Sequence, residues 1–116
     1  MQKNIFGKPL VLCSNNPLTG FTRNGYCSYE TSDSGNHMVC ARVTKEFLEY
    51  TKSQGNDLIS KTKNFPGLKA GDFWCLCAYR WLEALRAGVA PPILLEATNM
   101  EVLKIIPVQY LRQYRL

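Results

Sequence analysis

At 116 residues, with a net charge of +5, 46% hydrophobic and 20% charged, the chain has the make-up of an ordinary globular domain. That apolar share is too high for a disordered segment, and 8 Gly and 6 Pro exclude collagen-like or low-complexity chains. The length suffices for one core and not for two, so a single domain over residues 1–116 is expected.

The first forty-odd residues are rich in Gly, Asn, Ser, Thr and Pro, broken by short apolar pieces. Pro9–Cys13 reads as a short strand or extended segment. Asn24-Gly25 is suited to close a hairpin between Phe21–Arg23 and Tyr26–Ser28. His37–Val43 has strand character. Thr44 is placed to cap a helix of about ten residues that ends near Gly55 and buries Phe47, Leu48 and Thr51 on one face. A basic loop leads to Gly71-Asp72, where Asp72 is expected to cap a central core helix over residues 73–87, with Gly88 as its stop. Trp74, Cys77, Ala78, Trp81 and Leu85 then form its inner stripe. Val89–Pro92 breaks that helix and feeds a strand at Ile93–Ala97. Thr98-Asn99-Met100-Glu101 is a capping box, and Pro107 suits the first position of a last helix through Tyr110, Leu111 and Tyr114. Strands separated by helices, behind an irregular N-terminal third, predict a small two-layer α+β domain.

The N-terminal residues Met1–Lys8 lack the apolar stretch of a secretory signal, and the longest apolar run, Phe73–Tyr79, is too short to span a bilayer. A cytoplasmic location follows as the expectation, with no membrane partner. Cytosolic thiols are kept reduced, and the 5 cysteines cannot all pair within the chain. Free thiols, mostly buried as small apolar side chains, are therefore expected. The lysines from Lys52 to Lys69 read as a solvated loop, which makes nucleic acid an unfavoured partner.

The stretches Pro17–Phe21, Gly35–Ala41, Gly55–Leu58 and above all FPGLKAGDFWCLCAYRWLEALRAGVAPPILLEAT, residues 65–98, resemble one family. It is a domain-of-unknown-function family of small uncharacterised proteins found in bacteria and in plants. The resemblance covers almost the whole chain and implies an α+β fold with no established activity. Family members often carry a second Cys where this chain has Tyr26, and a His where it has Asn99.

Five constellations are candidates for chemistry. The signal for a redox disulfide switch is weak, because Cys75-x-Cys77 lacks the CxxC spacing that lets two thiols meet across a helical turn. With Asp72 as cap, Cys75 falls in the first turn of a helix, where the positive helix end favours thiolate; His37, the sole imidazole, is its natural base. Zinc, if bound, would take Cys13, Cys27, His37 and Cys40. Two residues apart on a helix, Cys75 and Cys77 point about 200° apart and do not share an ion. Pro66–Gly71, leading into a helix start, is a candidate anion cradle that the Asp72 carboxylate opposes, and a tight turn into a capped helix is the favoured reading of it. Arg23, Gly71 and Asp72 are the candidate ligand-binding residues. Tyr110 and Tyr114, beside Arg112 and Arg115, either pack back on the domain or meet a partner. The favoured reading is a binding module for a small ligand or protein partner, needing no cofactor and no metal. Its cleft is expected where Thr19–Arg23 and Gly35–Cys40 face Gly71–Cys75. The alternative is a thiol-dependent enzyme with Cys75 as nucleophile, His37 as base and Arg23 as anion contact.

Overall fold

The computed structural model describes residues 1–116. Two antiparallel strands, β1 (His37–Arg42) and β2 (Phe73–Cys77), form its only sheet. Helix α1 (Lys45–Ser53) follows β1, α2 (Ala78–Arg86) follows β2, and α3 (Val108–Gln113) closes the chain. The α+β class holds. No helix is long and apolar enough to cross a membrane.

The sheet is covered on both faces. Val39 faces Leu76 and Ala41 faces Trp74 across the ladder, and these four join Phe47, Trp81, Ala84 and Leu111 in the main core. Cys40 and Cys75 are also cross-strand partners, but they belong to a separate buried cluster with Cys13, Cys27 and Ala97. Period-two alternation thus sends one set of side chains to the helices and the other to the N-terminal loops.

Local chemistry sets several boundaries as the sequence predicts. Thr44, in extended backbone, accepts a hydrogen bond at Oγ1 from the Phe47 N–H (3.1 Å), and Phe47, Leu48 and Thr51 are buried on α1. At the end of α2, Gly88 takes a φ of +77°, which a β-carbon disfavours. There the Gly88 N–H reaches the Leu85 carbonyl and the Val89 N–H reaches that of Ala84, the double bond of a Schellman stop. The last helix begins one residue late, with Pro107 outside it as the cap.

The central element differs. Residues 73–77 are strand, and only 78–86 are helix. The sequence FWCLC is apolar throughout, so it has no period of its own, and pairing with β1 decides its conformation. Asp72 therefore caps no helix; its Oδ2 accepts from the Lys69 N–H in the preceding turn. Helix α2 starts directly from the strand, and its leading N–H, from Ala78, is met by the Asn36 carbonyl (3.1 Å).

Smaller differences share that origin. Pro9–Cys13 forms no strand beyond an isolated bridge at Pro9, and residues 21–28 form turns rather than a hairpin. The Gly25 carbonyl instead accepts from the Cys13 and Ser14 N–H groups, folding this loop onto the N-terminal segment. Ile93 makes single bridges to Ala41 and Arg115, and Leu95–Ala97 is a 3-10 turn. Asn99, not Thr98, caps Met100–Lys104, because the Thr98 hydroxyl is taken up by the Cys40 N–H and the Leu94 carbonyl. Tyr114 packs edge-on against Trp81 (5.5 Å between ring centres), so α3 docks on its own core.

Candidate functional site

The largest cavity is a cleft of about 510 Å³ between the N-terminal loops, the sheet and the loop after α1. Gly20, Phe21 and Arg23 line one side, His37, Trp74 and Cys75 the floor, and Asp57, Leu58, Thr62 and Phe65 the other side. Its size lies within the range of small-molecule sites. A hydroxyl anchors the first wall: Thr19, fully buried, accepts at Oγ1 from the Cys75 N–H (2.8 Å) and so occupies a backbone donor of β2.

His37 is held as a fixed group. The buried carboxylate of Asp33 accepts from the Gly35 N–H (3.1 Å), the His37 N–H (2.9 Å) and His37 Nδ1 (2.8 Å). Donating Nδ1–H to Asp33 fixes the tautomer and leaves Nε2 as the free ring nitrogen. The turn is shaped for this: Asn36 sits at a φ of +50°, and the imidazole lies directly over Gly35. A β-carbon on Gly35 would meet Cε1, and would stand only 3.0 Å from Nδ1 and 3.1 Å from Nε2. A side chain at Gly35 would therefore push the imidazole out of its present position.

Arg23 is the cleft's cation. Its backbone takes the left-handed conformation (φ +56°), Nη1 donates to the Gly20 carbonyl (2.7 Å), and the guanidinium stacks 5.1 Å above the Trp74 ring. Phe65 braces that ring edge-on (5.3 Å). No carboxylate pairs with Arg23. Across the cleft, hydrogen bonding from Ser60, side chain first and then backbone, holds the Asp57 carboxyl below its usual range against an opposing desolvation, with the Ile59 N–H and Lys52 adding lesser contributions. The cleft thus has one unpaired cation, one carboxylate and aromatic walls.

Arg23, His37 and Cys75 all line this cleft, with Cys75 on an extended backbone. Cys75 lies in mid-strand, not in a helical first turn, so the helix-end argument for its reactivity is lifted. It is also bonded to Cys27, and Cys13 to Cys40, which corrects the expectation of reduced thiols; only Cys77 is free. The proposed zinc set is not assembled either: His37 is engaged by Asp33, and Cys75 takes its place beside Cys13 and Cys27. Gly71 and Asp72 lie in an exposed or half-exposed turn outside the cleft. Asp33, Asp57 and Phe65 escaped sequence reasoning. The Asp-x-Gly-x-His spacing at 33–37 is a usable signal for the first, whereas the loop after α1 reaches the site only through the fold.

At the positions that depart from the resemblance, Asn99 is buried, and its Nδ2 donates to the Cys27 carbonyl (3.2 Å) and to Gln2 Oε1 (2.6 Å). Tyr26 is exposed. No curated protein matches the chain. A family model does, over residues 3–115, and it takes in both walls of the cleft, both disulfides and every helix. The chain therefore belongs to the DUF2237 family, described as an uncharacterized protein conserved in bacteria.

Proposed function

We propose that the chain is a binding module whose cleft takes a small anionic ligand with a flat, apolar body. The observation that carries this reading is Arg23: a guanidinium without a carboxylate partner, oriented by Gly20 and Trp74 at the rim of the largest cavity. Charge-assisted hydrogen bonds to a carboxylate or phosphate suit that group, while Phe21, Phe65 and Trp74 suit a flat ring. His37 Nε2 supplies a further polar contact on the floor. Titration with a panel of aromatic carboxylates and aryl phosphates, followed by amide chemical-shift changes, tests it. Binding shifts at Gly20–Arg23 and Trp74 are expected, with affinity falling about tenfold or more in Arg23→Gln. Equal affinity in that variant, or no shift at the cleft, overturns the reading. Cytosolic residence belongs to the same proposal, and it requires both disulfides to persist against, or cycle with, the reducing poise there.

A thiol-dependent enzyme is the second reading, and one observation favours it. Cys77, the free thiol, is the cross-strand partner of His37, and both line a recess of about 50 Å³ that shares His37, Leu58, Trp74 and Cys75 with the cleft. Cys75 becomes a nucleophile only once its bond to Cys27 is opened. The expected outcome is faster alkylation of Cys77 than of a model thiol, slowed by His37→Gln; equal rates in the two proteins remove this reading.

A further inference from the structure

The second buried cluster is a concentration of sulfur. Cys13, Cys27, Cys40 and Cys75 come from four separate stretches of chain and meet beneath the N-terminal loops, each at most 8% exposed. The Sγ atoms of Cys13, Cys27 and Cys75 all lie within 4.8 Å of one another, although Cys13 is not bonded to either of the others. Cys40 completes the group as the disulfide partner of Cys13 and the cross-strand neighbour of Cys75.

We propose that reduction turns this cluster into a tetrahedral zinc site with Cys13, Cys27, Cys40 and Cys75 as its four ligands. A Zn–S distance of about 2.3 Å sets the edge of a sulfur tetrahedron at about 3.8 Å. The sulfurs of Cys13, Cys27 and Cys75 that are not bonded to each other already lie within 4.8 Å, so the Cys27–Cys75 pair need only open. Cys40, which stands outside that group, must turn in toward it once its bond to Cys13 opens.

Hydrogen bonds hold the frame that presents them alongside the sulfur bonds. The Cys40 N–H is held by Thr98 Oγ1 (3.1 Å), the Cys75 N–H by Thr19 Oγ1 (2.8 Å), the Cys13 N–H by the Gly25 carbonyl (2.8 Å) and the Cys27 carbonyl by Asn99 Nδ2 (3.2 Å). Cys40 and Cys75 also sit side by side on a hydrogen-bonded ladder. Each of the four ligands therefore keeps a backbone tether when its disulfide opens. The chemistry of the set selects a borderline-soft divalent ion, since thiolate-only tetrahedral sites suit zinc and its cobalt substitute.

The conversion balances. Each disulfide accepts two electrons and two protons from one dithiol reductant, which leaves as its own disulfide, so two equivalents yield four thiols. Zinc then binds the four thiolates as four protons pass to solvent. Reoxidation by two equivalents of a two-electron oxidant re-forms both disulfides and expels the ion.

The full chain, reduced with a phosphine, loaded with zinc and desalted, tests this without any variant. About one zinc per chain is expected to be retained and then released as two disulfides are re-formed. Cobalt loading should give intense visible bands and sulfur-to-cobalt charge transfer. Cys77→Ser should behave identically, and Cys75→Ser should lose stoichiometric retention. Four results overturn the site: no retention by the reduced chain, a six-coordinate cobalt spectrum, equal retention by the oxidised chain, or loss of the metal in Cys77→Ser.

Discussion

Removing the Cys27–Cys75 disulfide through Cys27→Ala/Cys75→Ala is expected to lower the unfolding free energy by about 4 kcal/mol. The bond closes a loop of 48 residues, and the chain-entropy relation assigns roughly that stabilisation to a loop of this length. Both residues are changed together, since a single substitution leaves a buried thiol near a second disulfide and invites exchange. The bond also joins the N-terminal loops to β2, the strand that carries Trp74 in the cleft floor. Its loss should therefore weaken ligand binding along with stability. Guanidinium unfolding of the oxidised protein measures the effect: the midpoint falls, and the slope rises because the unfolded chain is less constrained. A loss below about 1 kcal/mol would mean that packing and hydrogen bonds hold the loops without the covalent link.

Trp81→Ala is expected to cost about 3–5 kcal/mol, the range for deleting a fully buried aromatic side chain. Trp81 has no exposed surface, its Nε1–H donates to the Pro91 carbonyl (3.1 Å), and its ring meets Tyr114 edge to face. These contacts join α2 to the Pro91-Pro92 crossing and to α3, so one side chain ties three stretches of the chain. Trp81→Phe separates the contributions. It keeps most of the apolar contact but orphans the Pro91 carbonyl, a loss of about 1–3 kcal/mol. Chemical denaturation of both variants should rank wild type above Phe and Phe above Ala. A Phe variant as unstable as the Ala variant would shift the weight from apolar burial to the hydrogen bond.

The sequence marks part of the cavity's lining. Glycine- and asparagine-rich loops mark backbone that approaches a ligand, and Arg23 and His37 were the charged and titratable groups those loops carry. Both loops do line the cavity, and Arg23 and Asn36 stand in left-handed backbone there, as is common where a loop is shaped for a site. Asp33 was missed because a carboxylate in a polar loop ordinarily faces water; here it is buried by the three donors that converge on it. Asp57 and Phe65 were missed for a different reason. They belong to the loop between α1 and β2, and nothing local says that this loop returns to face residues 20–23.

By itself, the sequence determined the features that depend on neighbours a few residues apart. These are the Thr44 cap and buried stripe of α1, a strand that starts at His37 (read to Val43, observed to Arg42), the glycine stop after α2 and the break at Pro91-Pro92. Only the tertiary structure decided that Phe73–Cys77 is extended, because a uniformly apolar segment is stable in whichever form its partner offers, and β1 offers a ladder. The same pairing decided the fate of the thiols. It set Cys40 beside Cys75 and brought Cys13 and Cys27 over them, a meeting through space that spacing along the chain does not encode.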